Sequence, residues 1–470
     1  MHVIHLSVEC FPLAKVGGLA DVVGALPRYQ RKLGLDAWVV CPFFDKAFTK
    51  ERVFGTIHQG SFMQGNEKLD YEVLKEESDP LGFPLYLIRI PGKLDREEVY
   101  CYPDEAEQWI AFQHAFLHWI TAAQIVPDVV NCHDHHVGLI PFLMKHAVDF
   151  NHLSSVKTLF TIHNGQYQGW MPWSKGILLP AFDTWRWGLL DWDGLINPFA
   201  AAVKCCDAFS TVSGGYLQEL YRDANGLEDL IQSESQKGYG IVNGIDDEYW
   251  NPEIDTLIAK QYKKSAVKSG KKSNKKEFCE EAGLDANVLL LAFIGRFAIE
   301  KGADLLPHII ENIFSNSDYK VSIFILGSGD DAVQAGIAEL LDRYPGQLAT
   351  FFGYNETLAH RVYAAADLLL MPSRVEPCGL NQLYAMKYGT IPIVRGIGGL
   401  KDTVIDVEEE GGYGFVFSDA DSQCAAEAVL RALEVTADPN ALQKIRQREM
   451  SLDFSWDKSA KEYIQLYDQL

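Results

Sequence analysis

The chain has 470 residues, 47% of them hydrophobic and 12% aromatic, enough for large cores in about three average domains or two large α/β ones. A net charge of −22 argues against nucleic acid or an anionic membrane as a general partner, although a local basic site can still hold an anionic substrate. Nine cysteines without Cys-x-x-Cys spacing, an opening Met1-His-Val-Ile-His-Leu without a basic leader, and no apolar run of 18 residues predict a reduced, cytoplasmic protein without zinc, signal peptide or membrane span.

His2 to Val8 reads as an opening strand. It leads through Phe11-Pro-Leu to Lys15-Val-Gly17-Gly18-Leu-Ala-Asp21, a helical run to Leu33, and a second strand at Ala37–Val40, which together make a βαβ unit. The glycine pair is by itself a tight turn. With Lys15 beside it at a strand's carboxyl end, it suits an anion. Leu85–Ile90 and Val126–Cys132 read as further strands, the second feeding His133-Asp134-His135-His136, and Thr158–Ile162 ends at His163-Asn164-Gly165. Two neighbouring strands should thus bring Asp134 and His163 to one rim. Consecutive positions of an extended loop point in different directions, so the His/Asp cluster is read without a metal.

Trp170, Trp173, Trp185, Trp187 and Trp192 crowd the next segment; most are expected to pack under a long loop and a minority to face sugar rings. Asp191-Trp-Asp193 looks like a metal-binding Asp-x-Asp, but no strand-like run precedes it and it is set aside. Asp207–Val212 and Gly240–Gly244 read as strands, the latter ending in a turn. The basic, Ser-rich run Lys263–Lys276 is expected to be a solvated linker or helix start. A second set of βα units follows: Val288–Ile294 ending in Gly295-Arg296, Val321–Leu326 with Gly327 and Gly329, and Leu348–Phe352 with Gly353-Tyr354. The organisation is therefore α/β, two successive arrays separated near 245–285.

The most informative stretch is Ala366–Leu400. Asp367–Met371 is a short apolar strand, Ser373–Gly379 a loop, Leu380–Tyr388 a helix with an αL cap at Gly389, and Ile391–Val394 the next strand. Gly398-Gly399-Leu400 is read as a further turn. Gly379 lets backbone N–H groups approach a ligand, the helix behind it suits a phosphate, and Glu376 can accept hydrogen bonds from hydroxyls.

These segments together resemble bacterial glycogen synthases and plant starch synthases, retaining glucosyltransferases with two Rossmann-like domains facing each other across a cleft (GT-B). The resemblance rests on KVGGLADVVGALP (15–27), HDHHVGL (133–139), FTIHNGQYQG (160–169), STVS (210–213), VNGID (242–246), GRFAIEKG (295–302), PSRVEPCGLNQLYAMKYGTIPIVR (372–395) and DFSW (453–456), in family order over essentially the whole chain. Two positions depart: His135 stands where the family usually has Trp, and Glu300 where it often has Gln. The first is expected to alter packing near the acceptor, the second to retune Lys301.

The resemblance implies an acceptor-side domain over 1–240, a donor-side domain over 245–455, and a C-terminal helix over 456–470 returning to the first. It implies that Lys15, Gly17 and Gly18 touch the donor diphosphate from one side and Arg296 and Lys301 from the other. Glu376 would bind glucose hydroxyls, and the N–H groups near Gly379, Leu380 and Asn381 phosphate or sugar. Tyr354 would stack on the nucleobase, Asn243 would lie on the donor, and His163 would sit beside the reacting glucose with Asp134 and Asp21 close by. The implied donor is ADP-glucose and the acceptor an α-1,4-glucan, with no cofactor and no metal. The alternatives are a UDP-glucose-dependent or other GT-B transferase, or a non-catalytic glucan-binding protein.

Overall fold

The computed structural model describes residues 1–76, 78–315 and 320–470. They form two compact units, Met1–Gly244 with Trp456–Leu470, and Ile245–Ser455.

In the first unit the strands are β1 (His2–Leu6), β2 (Asp36–Pro42), β3 (Phe54–Gln64), β4 (Glu67–Glu76), β5 (Leu85–Arg89), β6 (Val129–His133), β7 (Lys157–Ile162), a small hairpin β8 (Asp191–Trp192) and β9 (Leu195–Ile196), then β10 (Ala208–Thr211) and β11 (Gly238–Gly240). Apart from the hairpin they make one sheet in the order β11-β10-β7-β6-β1-β2-β5-β4-β3. Its pairs are parallel except for β3–β4 and β4–β5. Strands β6 and β7 are almost wholly buried, as strands covered on both faces must be. The strand order reverses between β1 and β6, and ligands of open α/β sheets bind beyond the carboxyl ends at such a point.

Helix Gly18–Lys32 buries Leu19, Val22, Val23, Leu26 and Tyr29, spaced three and four apart, and its last turn carries Arg31 and Lys32 to complement the dipole. Against it lies the C-terminal helix Trp456–Tyr467, whose Trp456, Ala460, Tyr463, Leu466 and Tyr467 join Val22, Leu26 and Tyr29 in one core cluster. Burying side chains of this size contributes about 1.5–3 kcal/mol each. Leu466 belongs to this buried face, whereas Ile464 is only half-buried. Two strand boundaries differ from expectation by three residues or more. Strand β6 begins only at Val129, because Pro127 has no N–H for the ladder. The last strand is Gly238–Gly240, not Gly240–Gly244: a Cβ at Gly240 would lie 2.4 Å from the Cα of Gly214, so only glycine fits this edge.

The second unit contains β12 (Leu289–Ile294), β13 (Val321–Gly327), β14 (Leu348–Phe352), β15 (Leu368–Met371), β16 (Ile391–Arg395) and β17 (Phe415–Phe417). All are parallel, in the order β14-β13-β12-β15-β16-β17, a doubly wound sheet with its switch point between β12 and β15. Of the two readings of the basic run, helix start holds and solvated linker does not. The run forms helix Val267–Ala282, and Lys271 is 1% exposed, with Nζ donating to the carbonyls of Tyr363 and Tyr388 and to Thr390 Oγ1. Lys275 pairs with buried Asp367, which Arg446 also binds. Lys271 can be buried, and Lys275 largely withdrawn from solvent, because distant segments supply their acceptors. Gly398 opens a short helix, Gly398–Thr403, where a turn is expected. A Cβ at Gly399 would lie 2.2 Å from the Cys378 carbonyl, so glycine lets this helix start against the loop.

Candidate active site

Each unit carries polar groups at its own switch point. In the first, the loop after β1 is organised by Glu9, which the sequence reading missed. Its buried carboxylate accepts from the N–H groups of Val16 (2.6 Å) and Gly17 (3.0 Å) and from the Tyr100 hydroxyl (2.6 Å). This corrects the expectation for Gly17: its N–H is turned inward to Glu9 and is not offered to a ligand. What Gly17 and Gly18 offer is space, since a Cβ at either would meet no atom within 4 Å. The fold does not need glycine there, whereas a close-approaching ligand does. Lys15 Nζ lies 2.7 Å from Asp21 Oδ1, both partly exposed.

Strands β6 and β7 bring Asp134 and His163 together. Asp134 has φ +60°, a conformation that costs an aspartate on the order of 1–3 kcal/mol, and its N–H donates to the Thr161 carbonyl. Its Oδ1 accepts from the His163 N–H at 2.7 Å. Burial pushes the Asp134 carboxyl up to about 7, against the opposing pull of the His163 and Asn164 N–H groups. The His163 ring meets His133, with Nε2 2.9 Å from His133 Nδ1, and burial pushes it down to about 3. His135 packs its ring on His136 and closes on Gly169, where a Cβ would lie 2.4 Å from His135 Cδ2. Among the described residues no three His, Cys, Asp or Glu side chains are grouped to hold a metal ion.

In the second unit the loops after β12 and β15 are tied together. The N–H groups of Arg374 and Val375 donate to the Glu300 carbonyl, and Arg374 reaches Asp304 with both guanidinium arms. Gly302, at φ +66°, sits where a Cβ would be 2.0 Å from the Pro372 carbonyl, so glycine permits this contact. Lys301 Nζ lies 2.7 Å from each oxygen of Glu376, whose Oε2 also accepts from Ser373 Oγ at 2.9 Å. Glu376 is 6% exposed. Arg296, mostly exposed, pairs with Glu300 at 2.7 Å. The departure at Glu300 therefore acts on Arg296 and not on Lys301, because Glu376 has already taken Lys301. Asn381 uses its side chain to hold the Ile294 carbonyl, which joins the helix start to the end of β12. Gly379 takes φ +72°.

Tyr354 is 78% exposed, with its hydroxyl on Glu356. Asn243 is buried, and its Oδ1 has no hydrogen-bond partner among the described residues. The tryptophans overturn the packing expectation: Trp170, Trp185 and Trp187 are 64%, 70% and 54% exposed. Trp185 and Trp187 lie in a 3-10 segment, Thr184–Leu189, with no buried residue. With three residues per turn, its side chains offer too narrow a stripe to cover a core. Asp191 is occupied by Trp173 Nε1 and turns the β8–β9 hairpin.

Two doubly wound units, each with polar loops at its switch point, are the architecture found in glycosyltransferases of the GT-B class. Comparison with known proteins narrows the class. The family described as starch synthase catalytic domain matches residues 2–233, and glycosyl transferases group 1 matches 274–449. A glycogen synthase of Flavobacterium johnsoniae is 47% identical over 468 residues, covering 100% of this chain and 99% of that protein. One from Geobacillus thermodenitrificans is 34% identical over 491 residues, covering 100% and 98%. The catalytic domain of starch synthase IV from Arabidopsis thaliana, solved bound to ADP and acarbose, superposes with a TM-score of 0.88 at 28% identity, covering 100% of this chain and 99% of that one. The chain belongs to the glycogen and starch synthase family.

Proposed function

We propose that this protein transfers glucose from ADP-glucose to the non-reducing end of an α-1,4-glucan, with retention of configuration and without a cofactor. The observation that carries this reading is the set Lys15, His163, Arg296, Lys301 and Glu376, all beyond the carboxyl ends of central strands in a chain similar to glycogen synthases over its full length. The ADP and acarbose bound by the starch synthase IV domain support an adenine nucleotide and a glucan.

Breaking the bond from glucose to diphosphate leaves an oxocarbenium-like sugar and a departing anion. Lys15, Arg296 and Lys301 act on that anion, and a single preorganised stabilising group is worth ~10²–10³ in rate. Each is held by a carboxylate (Asp21, Glu300 and Glu376), so the donor must draw it partly away. Gly17 and Gly18 give the phosphates room. Glu376 binds glucose hydroxyls, the N–H groups around Gly379, Leu380 and Asn381 the phosphate or sugar, Tyr354 the base, and Asn243 the donor through its unpaired Oδ1. His163, with Asp134 and Asp21 nearby, lines the reacting glucose, and the leaving phosphate helps to deprotonate the acceptor hydroxyl. The exposed tryptophans offer flat faces to glucan rings. A reducing, cytoplasmic location suits the nine free thiols. Among the described residues no helix is long and apolar enough to cross a membrane.

The test is incorporation of labelled glucose into glycogen from ADP-, UDP- and GDP-glucose. ADP-glucose is expected to be the best donor. Preference for UDP-glucose would replace the donor, and glucan binding with no incorporation from any would replace catalysis with a binding role.

A further inference from the structure

A row of buried polar groups crosses one face of the first unit's sheet, from the C-terminal helix to His163. Parallel register sets His5 opposite Asn131 and His133 opposite Thr161, so these side chains share that face. We infer that Gln30, His5 and His133 are positioning residues that set the tautomer of His163 and make its Nδ1 a hydrogen-bond acceptor for a sugar hydroxyl. The inference rests on the reading of His163 as the neighbour of the reacting glucose.

The direction of every hydrogen bond in the row follows from one backbone carbonyl. Asn131 Nδ2 lies 3.4 Å from the Leu159 carbonyl oxygen and 2.8 Å from Thr161 Oγ1. A carbonyl only accepts, so this end of the amide is the NH₂ and Oδ1 is the other. Oδ1 also only accepts, so the Tyr467 hydroxyl, 2.9 Å away, donates to it. That hydroxyl has one hydrogen, and its oxygen therefore accepts from Gln30 Nε2 at 3.2 Å. Gln30 then turns Oε1 toward His5, whose Nε2 at 2.7 Å must carry a hydrogen.

A neutral imidazole has one N–H. His5 Nδ1 thus accepts from His133 Nε2 at 3.0 Å, and His133 Nδ1 accepts from His163 Nε2 at 2.9 Å. All three rings are neutral, since burial pushes His5 down to about 4, His163 to about 3 and His133 well below its ordinary value. His163 has then given its single N–H to His133. Its Nδ1 is a bare lone pair with no partner among the described residues. Such an atom welcomes an O–H donor and repels an ether, carbonyl or phosphate oxygen, so it favours a free hydroxyl over a modified one. The opposite direction would set two acceptors, Leu159 O and Asn131 Oδ1, against each other.

Histidine ¹⁵N resonances of the full-length protein test this, with His163 assigned by its loss in His163→Gln. The wild type is expected to show neutral His163 protonated at Nε2. In Tyr467→Phe nothing fixes the Gln30 amide, and in Gln30→Met the acceptor for His5 is gone. Both should show mixed His163 tautomers and a kcat roughly 3–10-fold lower, the scale of one neutral hydrogen bond, with KM for glycogen unchanged. Gln30→Glu, which can still accept from His5, should keep the wild-type tautomer. A wild-type His163 protonated at Nδ1 or doubly protonated would overturn the relay. If Tyr467→Phe and Gln30→Met do not fold, the wild-type spectrum still decides its direction. Mixed tautomers with unchanged kcat would overturn the link to the sugar. A wild type with the expected tautomer but no transferase activity would instead sink the functional reading and leave the relay standing.

Discussion

His163 and Glu376 each stand just past the carboxyl end of a central strand and both are buried, yet they are held by different physics. His163 ends a row of neutral hydrogen bonds, with an N–H on Asp134 and a ring on His133. Glu376 is held by charge, with Lys301 Nζ at 2.7 Å from both oxygens. A neutral row fixes direction: it decides which atom donates and which accepts, and it resists protonation. An ion pair at the mouth of a loop stores charge that can be shared with an arriving anion. On the proposed roles, His163 orients the sugar while Lys301 beside Glu376 compensates developing charge, so variants in the two regions should fail differently.

The largest effect belongs to the charged loop. Lys301→Ala is expected to lower kcat by about 10²–10³, and Lys301→Arg to rescue poorly, because a planar fork does not place its charge where an ammonium does. Glu376→Ala should lower kcat by a similar factor while nucleoside diphosphate affinity, measured by calorimetry, stays within a fewfold. Equal loss of both would mean that Glu376 supports the loop and not the sugar. Activity abolished by EDTA and restored by Mg²⁺ or Mn²⁺ would transfer the role to a metal.

The hydrogen-bonded region should show itself next, through pH. Unfolded, the Asp134 carboxyl titrates near 3.8, and folded it holds its proton to about 7. Between these values the folded state binds more protons, so this group's contribution makes stability fall as pH rises. Asp134→Asn should flatten that fall, by at most about 4 kcal/mol. His5 and His163 act oppositely, since their lowered values make stability fall as pH drops below 6.5. Melting temperatures of wild type and Asp134→Asn from pH 4 to 8 separate the two contributions. Identical profiles would mean that Asp134 carries no raised titration.

Smaller effects sharpen the comparison at its edges. Trp185→Ala with Trp187→Ala should raise KM for glycogen roughly 3–10-fold and leave folding intact, since both rings are exposed. An unchanged KM would remove them from the acceptor surface. Glu300→Gln should release Arg296 and tighten ADP binding by about two- to threefold, an exposed ion pair being worth at most about 1 kcal/mol. Weaker binding in that variant would show that Glu300 positions Arg296 instead of restraining it.

Local pattern by itself determined the α/β alternation, the central strands to within a few residues, the αL end at Gly389, and the loops that carry Lys15, Asp134, His163, Arg296 and Glu376. Apolar runs closed by glycine, and helices begun after glycine loops, are signals written within some ten residues. Tertiary structure alone decided which charges are buried and which polar atoms meet. Lys271 reads as a solvated lysine until Tyr363, Tyr388 and Thr390 supply its acceptors. Glu9 carries no local mark of its hold on Val16, Gly17 and Tyr100. The row from Tyr467 through Gln30, His5 and His133 to His163 draws on two helices and three neighbouring strands. Strand order and register bring those residues together, and both depend on pairing between segments far apart in the chain, which no local periodicity records.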